Sequence, residues 1–361
     1  MRGCPSTRRR VGALAVGMAL GATVHGFAPA RADNVRPENR AVFAFTDEDI
    51  TESSGLAVRG RLMFTVNDSG GDPVVYTVDA GTGNTVASTS YSADEVIDVE
   101  AVAPGAGGAV WVGDIGDNDE KRSTVEVYRV VPLGGSEQQA DALGRDEVVE
   151  EESTAEVFSL AYPDEPQDAE ALLRHPKTGR LYVVTKAVTG GTVYAVPPSL
   201  DPGRNNRMTK VGQTSGLTTD GSFFPDGEHI MLRSYGGASV FTFPGLREVG
   251  SFRLPPQKQG EGLALSEDGG IYLSTEGIYS KVLRVLLPPE LAAAMGEPSP
   301  TMALPSPSDS PPPGSEGPKP EDGSLSTGDG PGLWAAVAIF VVTVAGWVGL
   351  TVARRRSRRI L

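Results

Sequence analysis

Glu170-Ala171-Leu172-Leu173, the turn Pro176-Lys177-Thr178-Gly179 and Leu181-Tyr182-Val183-Val184 make one unit: an acidic residue opening a short apolar strand, a tight turn, and a second β-rich strand. Short apolar, β-branched runs bounded by proline and glycine read as buried strands rather than as helix. The unit recurs on both sides. Upstream it is Ser54-Gly55-Leu56-Ala57 with Leu62-Met63-Phe64-Thr65-Val66, and Glu100-Ala101-Val102-Ala103 with Val110-Trp111-Val112-Gly113. Downstream it is Asp220-Gly221-Ser222-Phe223 with Ile230-Met231-Leu232, and Glu261-Gly262-Leu263-Ala264 with Ile271-Tyr272-Leu273. Pro225-Asp226-Gly227 and Glu267-Asp268-Gly269 supply the turns of the last two units, where glycine accepts the positive φ of a tight hairpin.

The units start at 54, 100, 170, 220 and 261, so they are spaced by 46, 70, 50 and 41 residues. Propeller blades repeat at about 40–50 residues. Third strands are expected at 74–78, 125–130, 192–196, 239–243 and 281–285, and outer strands near 85–91, 156–162, 208–213 and 247–253. The long second interval is expected to hold an acidic, turn-rich insertion around 134–154, including Glu150-Glu151-Glu152. The last unit lacks an outer strand, whereas Ala41 to Phe45 is a strand without a unit. Pairing the two would close a ring and protect its edges. The expected fold is therefore an all-β, five-bladed β-propeller over residues 41–288, or six blades if the long interval holds another. A β-sandwich of the same strands is the alternative.

Both ends read as membrane signals. Residues 1–32 form a signal peptide: Arg8-Arg9-Arg10, an apolar run from Val11 to Leu20, and the cleavage pattern Ala30-Arg31-Ala32. Residues 297–332 hold ten prolines, six glycines and seven serines, a composition that cannot bury a core and gives a disordered, semi-extended stalk. Residues 333–353 carry no charge and are long enough for one transmembrane helix, and the five arginines of 354–361 mark a cytoplasmic tail. The expected location is the cell membrane, single-pass, with the N-terminal domain extracellular. This C-terminal arrangement also resembles a sortase sorting signal, although Ser324-Leu325-Ser326-Thr327-Gly328 lacks the proline of that motif.

Charge follows the same boundaries. The 32 basic residues, less the ten arginines of the two ends, leave 22 against 46 acidic residues in 33–330. Such a domain repels nucleic acid and favours cations. The only cysteine, Cys4, precedes the cleavage site, so the exported part has no disulfide and no thiol nucleophile. Asn67-Asp68-Ser69-Gly70-Gly71 looks like a serine-protease motif, but no histidine lies between Asp33 and Ser69 to serve as its base.

The strand–turn–strand units with Pro-Asp-Gly and Glu-Asp-Gly turns resemble those of WD-repeat and related bacterial propellers, without a WD dipeptide. The whole arrangement resembles exported, membrane-anchored bacterial propeller proteins.

In a blade, the start of the first strand and the end of the second open on one face. That placement gathers Glu100, Glu170, Asp220 and Glu261 at first-strand starts, and Asp68, Asp114, Lys186, Arg233 and Glu276 at second-strand ends. Oxygen donors of this type suit calcium or magnesium, and crowded carboxylates need a cation or a basic neighbour to stay ionised. The expected metal ligands are Glu100, Glu170, Glu261, Asp68 and Asp114, with calcium as the ion. The set resembles the mouth of gluconolactonase-like and phytase-like propellers, which implies metal-dependent hydrolysis as the alternative to a surface binding module. The expected partner is a protein or small molecule at this face.

Overall fold

The computed structural model describes residues 39–296, apart from 69–71, 94–95 and 144–147. The signal segment, stalk, membrane span and tail lie outside the described residues. Among the described residues no helix is long and apolar enough to cross a membrane.

The chain opens with β1 (Arg40–Ala44). Blade 1 is β2 (Ser53–Arg59), β3 (Leu62–Asn67), β4 (Val74–Asp79) and β5 (Thr85–Tyr91). Blade 2 begins with β6 (Val99–Pro104), β7 (Val110–Asp114) and β8 (Val125–Val130). An insertion then forms α1 (Glu137–Leu143) and β9 (Val149–Ser153) before β10 (Glu156–Ala161) completes the blade. Blade 3 is β11 (Ala169–Arg174), β12 (Leu181–Thr185) and β13 (Thr192–Ala195), then a two-residue β14 (Asn206–Arg207) and the outer strand β15 (Thr209–Gln213). Blade 4 is β16 (Asp220–Phe223), β17 (His229–Arg233), β18 (Gly237–Thr242) and β19 (Glu248–Arg253). Blade 5 is β20 (Leu263–Leu265), β21 (Ile271–Leu273) and β22 (Lys281–Val285), followed by α2 (Pro289–Gly296).

The molecule is an all-β propeller of five sheets, and the 70-residue interval holds an insertion rather than a sixth blade. Its inner strands touch in a closed circle, β2 to β6, β11, β16, β20 and back to β2. The ring closes as the orphan strand requires: β1 is the outer strand of blade 5, with Ala41 opposite Leu283 and Ala44 opposite Lys281. The first and last strands of the described residues thus share one sheet, with β1 at its outer edge.

Each blade interface has its own apolar core. Phe43, Phe45, Leu56 and Val282 fill the closure between blades 5 and 1. Phe64, Val102 and Tyr128 lie between blades 1 and 2, and Leu160, Leu172 and Val183 between 2 and 3. Leu173, Phe223 and Phe241 lie between 3 and 4, and Met231, Val240 and Leu273 between 4 and 5. Near the axis the blades approach so closely that Gly55, at φ +81°, could not carry a Cβ: it would lie 2.5 Å from the Val102 nitrogen.

The insertion has more structure than turns. Strand β9 runs parallel to β5, from Ala87 opposite Val149 to Tyr91 opposite Ser153, so a segment of blade 2 adds a fifth strand to blade 1. Strand β14 repeats the device one step on, pairing parallel with β10. Helix α1 is held by Glu137 Oε1, which accepts the Arg61 N–H at 2.8 Å. The Arg59 guanidinium donates to the carbonyls of Gly105, Gly108, Ala109 and Gly135, tying blade 1 to the β6–β7 turn and the insertion.

Candidate functional site: an acidic mouth at the propeller axis

Antiparallel order within each blade puts the starts of β2, β6, β11, β16 and β20 and the ends of β3, β7, β12, β17 and β21 on one face. In blades 2 and 3 the register slips at the glutamate itself, between Val99 and Ala101 and between Ala169 and Ala171. Glu100 and Glu170 are therefore unpaired bulge residues, a device that re-aims a side chain out of the ladder.

One backbone bond recurs just beyond the second strand in blades 1, 2, 3 and 5. Asp68 N–H donates to Glu52 O, Gly116 to Asp98, Lys186 to Asp168 and Glu276 to Gln259, all at 2.8–3.1 Å. Asp68, Gly116, Lys186 and Glu276 thus occupy equivalent positions around the mouth. Ligand oxygens of Asp68, Asp98 and Glu100 lie within 4.8 Å of one another. Glu100 also accepts from Ser54 Oγ at 3.0 Å, so the first-strand start of blade 1 serves that of blade 2. Asp98 accepts from Asn118 Nδ2 at 3.2 Å.

The other half of the mouth is built around Lys186. Its ammonium donates to Glu170 Oε1 and lies 6.0 Å from the Tyr235 ring centroid. Glu170 is only 3 % exposed, and its Oε2 is buried with no hydrogen-bond partner. Glu276 accepts from Gln259 Nε2.

Burial dominates the electrostatics. It pushes Glu100 well above the carboxylate range, reinforced by the charges of Glu170, Asp68 and Asp98 and opposed by Lys186. It raises Glu170 in the same way, against the pull of Lys186. Glu261 is pushed up to about 7, burial again outweighing Lys186, and Glu276 to about 8, by burial and then by Glu261 and Asp68. Burial works against the Lys186 charge, but Glu170 and Tyr235 more than offset it and its pKa is raised. One ammonium is shared among too many carboxylates, so protons or an added cation must make up the deficit.

Asp114 has a different place. Its wholly buried carboxylate accepts the N–H groups of Ile97 and Asp98, both at 2.9 Å, and pairs with Arg122 at 2.7 Å. Asn67 Oδ1 does the same in blade 1, accepting from Thr51 and Glu52. Both residues clamp the loop entering the first strand. Ile115 adds one residue after Asp114, so the counterpart of Lys186 in blade 2 is Gly116. Asp220 and Arg233 also face inward. Asp220 accepts the Gly221 and Leu263 N–H groups, and Arg233 donates to the carbonyls of Gly262 and Ser274, joining blade 4 to blade 5.

Asp98 and Asp168 join the mouth without having been expected there. Asp168 Oδ1 accepts the Asp117 N–H at 2.9 Å. Their signal was present as Asp98-Val99-Glu100 and Asp168-Ala169-Glu170, the same Asp-x-Glu spacing at the same blade position.

The chain matches no protein-family model and no curated protein. Among solved structures it is similar to hydrazine synthase of Kuenenia stuttgartiensis, at 16% identity and a TM-score of 0.34, over 63% of this chain and 57% of that one. Fold and site together define a five-bladed β-propeller with an acidic axial mouth, a scaffold of the kind used for ligand interaction or for catalysis.

Proposed function

We propose that this chain is a binding module presented outside the cell on a membrane anchor, with calcium held at the mouth of its propeller. The observation that carries this reading is the convergence of Asp68, Asp98 and Glu100 within 4.8 Å, beside the unsatisfied Glu170 carboxylate oxygen. Hard oxygen donors at this density are what calcium selects. Asp68, Asp98 and Glu100 are the ligands, while Glu170 is engaged by Lys186 through one oxygen and Glu261 lies near the same ammonium. Asp114 supports them by fixing the Ile97–Asp98 backbone. The signal peptide, the stalk and the uncharged span 333–353 support the surface location. Equilibrium dialysis of the full chain in detergent against radioactive calcium tests the reading. One saturable site, lost in Asp98→Asn and Glu100→Gln, supports it, and no retention above background contradicts it.

A second reading is a metal-dependent hydrolase that activates water on the same carboxylates. It is favoured by the proximity of a near-neutral acid, Glu261, to Lys186 and Tyr235. Calcium-dependent turnover of a lactone or phosphoester, lost in Glu261→Gln, would select this reading over pure binding.

A further inference from the structure

Four large apolar side chains among the described residues are more than half exposed: Ile97 at 53 %, Val188 at 77 %, Ile278 at 54 % and Tyr279 at 55 %. Singly, exposed apolar residues are ordinary. Their distribution is not. Ile97 precedes β6, Val188 joins β12 to β13, and Ile278 and Tyr279 join β21 to β22. All three connections open on the face that carries the mouth. The next most exposed, Val148, Val131, Leu286 and Val157 at 39–46 %, all lie toward the opposite end of their blades.

Each of the four is also a near neighbour of a mouth residue. Ile97 adjoins Asp98, Val188 is two residues from Lys186, and Ile278 and Tyr279 follow Glu276. Two of these loops are pinned through their backbone. Ile97 N–H is clamped by Asp114 Oδ2 at 2.9 Å, and Gly277 N–H donates to Thr51 O at 2.8 Å. Tyr279 sits at φ +57°, an unfavourable conformation for an aromatic residue, with its ring in solvent rather than in a core. Exposed apolar side chains around a desolvated charged centre have the layout of an interface, where tyrosine is a frequent anchor.

We propose that this face docks a protein segment presenting a lysine or arginine flanked by apolar side chains. The basic side chain meets Glu276 and Glu261, on the blade 5 side of the mouth, and the flanking groups cover Ile278, Tyr279 and Val188. Charge complementarity selects the partner's cation, and the apolar rim supplies the area that a small inorganic ion would leave bare. The inference rests on the reading that the mouth is the binding face, and not on calcium being its metal.

The probe is a phage-displayed random peptide library panned against the full chain in detergent, with enriched peptides synthesised and measured by fluorescence anisotropy. Enriched peptides should share a lysine or arginine between apolar residues. Val188→Ser with Ile278→Ser should weaken their binding tenfold or more, and Glu276→Gln should weaken it and flatten its salt dependence. Both serine substitutions fall on exposed side chains, so the calcium response of that variant should persist. No enrichment, or binding insensitive to these substitutions, would overturn the proposal. So would concentration-dependent self-association abolished by the same pair, which would assign the face to a second copy of this chain. Peptide failure with an intact calcium response removes the docking inference alone. Peptide binding without a calcium response removes calcium and leaves the docking face standing.

Discussion

Lys186 Nζ donates to Glu170 Oε1, and the second oxygen of that carboxylate is buried without a partner. The pair is thus half-compensated, and this imbalance recurs around the mouth. Removing the ammonium while keeping the carboxylate should be worse than removing both. Lys186→Met should cost about 3–5 kcal/mol, the typical effect of breaking a buried pair, and the double variant with Glu170→Leu should recover much of it. Urea unfolding midpoints for the three variants give the comparison.

Closure of the ring by β1 makes an N-terminal strand answerable for the whole fold. Phe45 is buried beside Phe43, their ring centroids 5.6 Å apart. Phe45→Ala should destabilise by about 3–5 kcal/mol. Limited proteolysis should then cut first near β1 or β22. Native-like resistance there would place the closure elsewhere.

Asp114 separates support from ligation. Asp114→Ala strands the Arg122 guanidinium and two N–H groups, and should cost about 3 kcal/mol or more. Asp114→Asn retains one acceptor for the loop and should cost less while preserving calcium binding. A calcium affinity abolished in a well-folded Asp114→Asn protein would show instead that this carboxylate is a ligand.

Glu261 and Glu276 make stability depend on pH. Both stand above the ordinary value of 4.5 in the folded chain, near 7 and 8, so the fold retains protons that the unfolded chain has released. Their contribution is complete below about 4.5 and is lost as pH rises through 7 and 8. In chelator, calorimetric melting temperatures should fall between pH 5 and 8.5, less steeply in Glu276→Gln. A rise across that window would contradict the assignment.

Much of this architecture was written in the chain. The repeated unit is legible because each blade spends two buried strands and a tight turn in the same order, and the closure because Ala41 to Phe45 has no other partner. The insertion was legible as length and charge only. Val149-Glu150-Glu151-Glu152 has little intrinsic strand preference, and it becomes β9 because the edge of β5 is available to pair with it. In the mouth, Glu100, Glu170 and Glu261 stand out by recurring at first-strand starts. Asp114 ends β7 opposite Val99, the place of Asn67 in blade 1 and Thr185 in blade 3, one residue short of the position of Asp68 and Lys186.

The most direct test is the melting temperature of the full chain in detergent, with calcium and with chelator, for the natural sequence and for Glu100→Gln. Calcium at a hundred times its Kd stabilises a native-state site by about 2.7 kcal/mol, which for a domain of this size is a rise of roughly 5–10 °C. The account predicts a saturable rise of that order, absent in Glu100→Gln. A melting temperature unchanged by calcium in the natural sequence would contradict it.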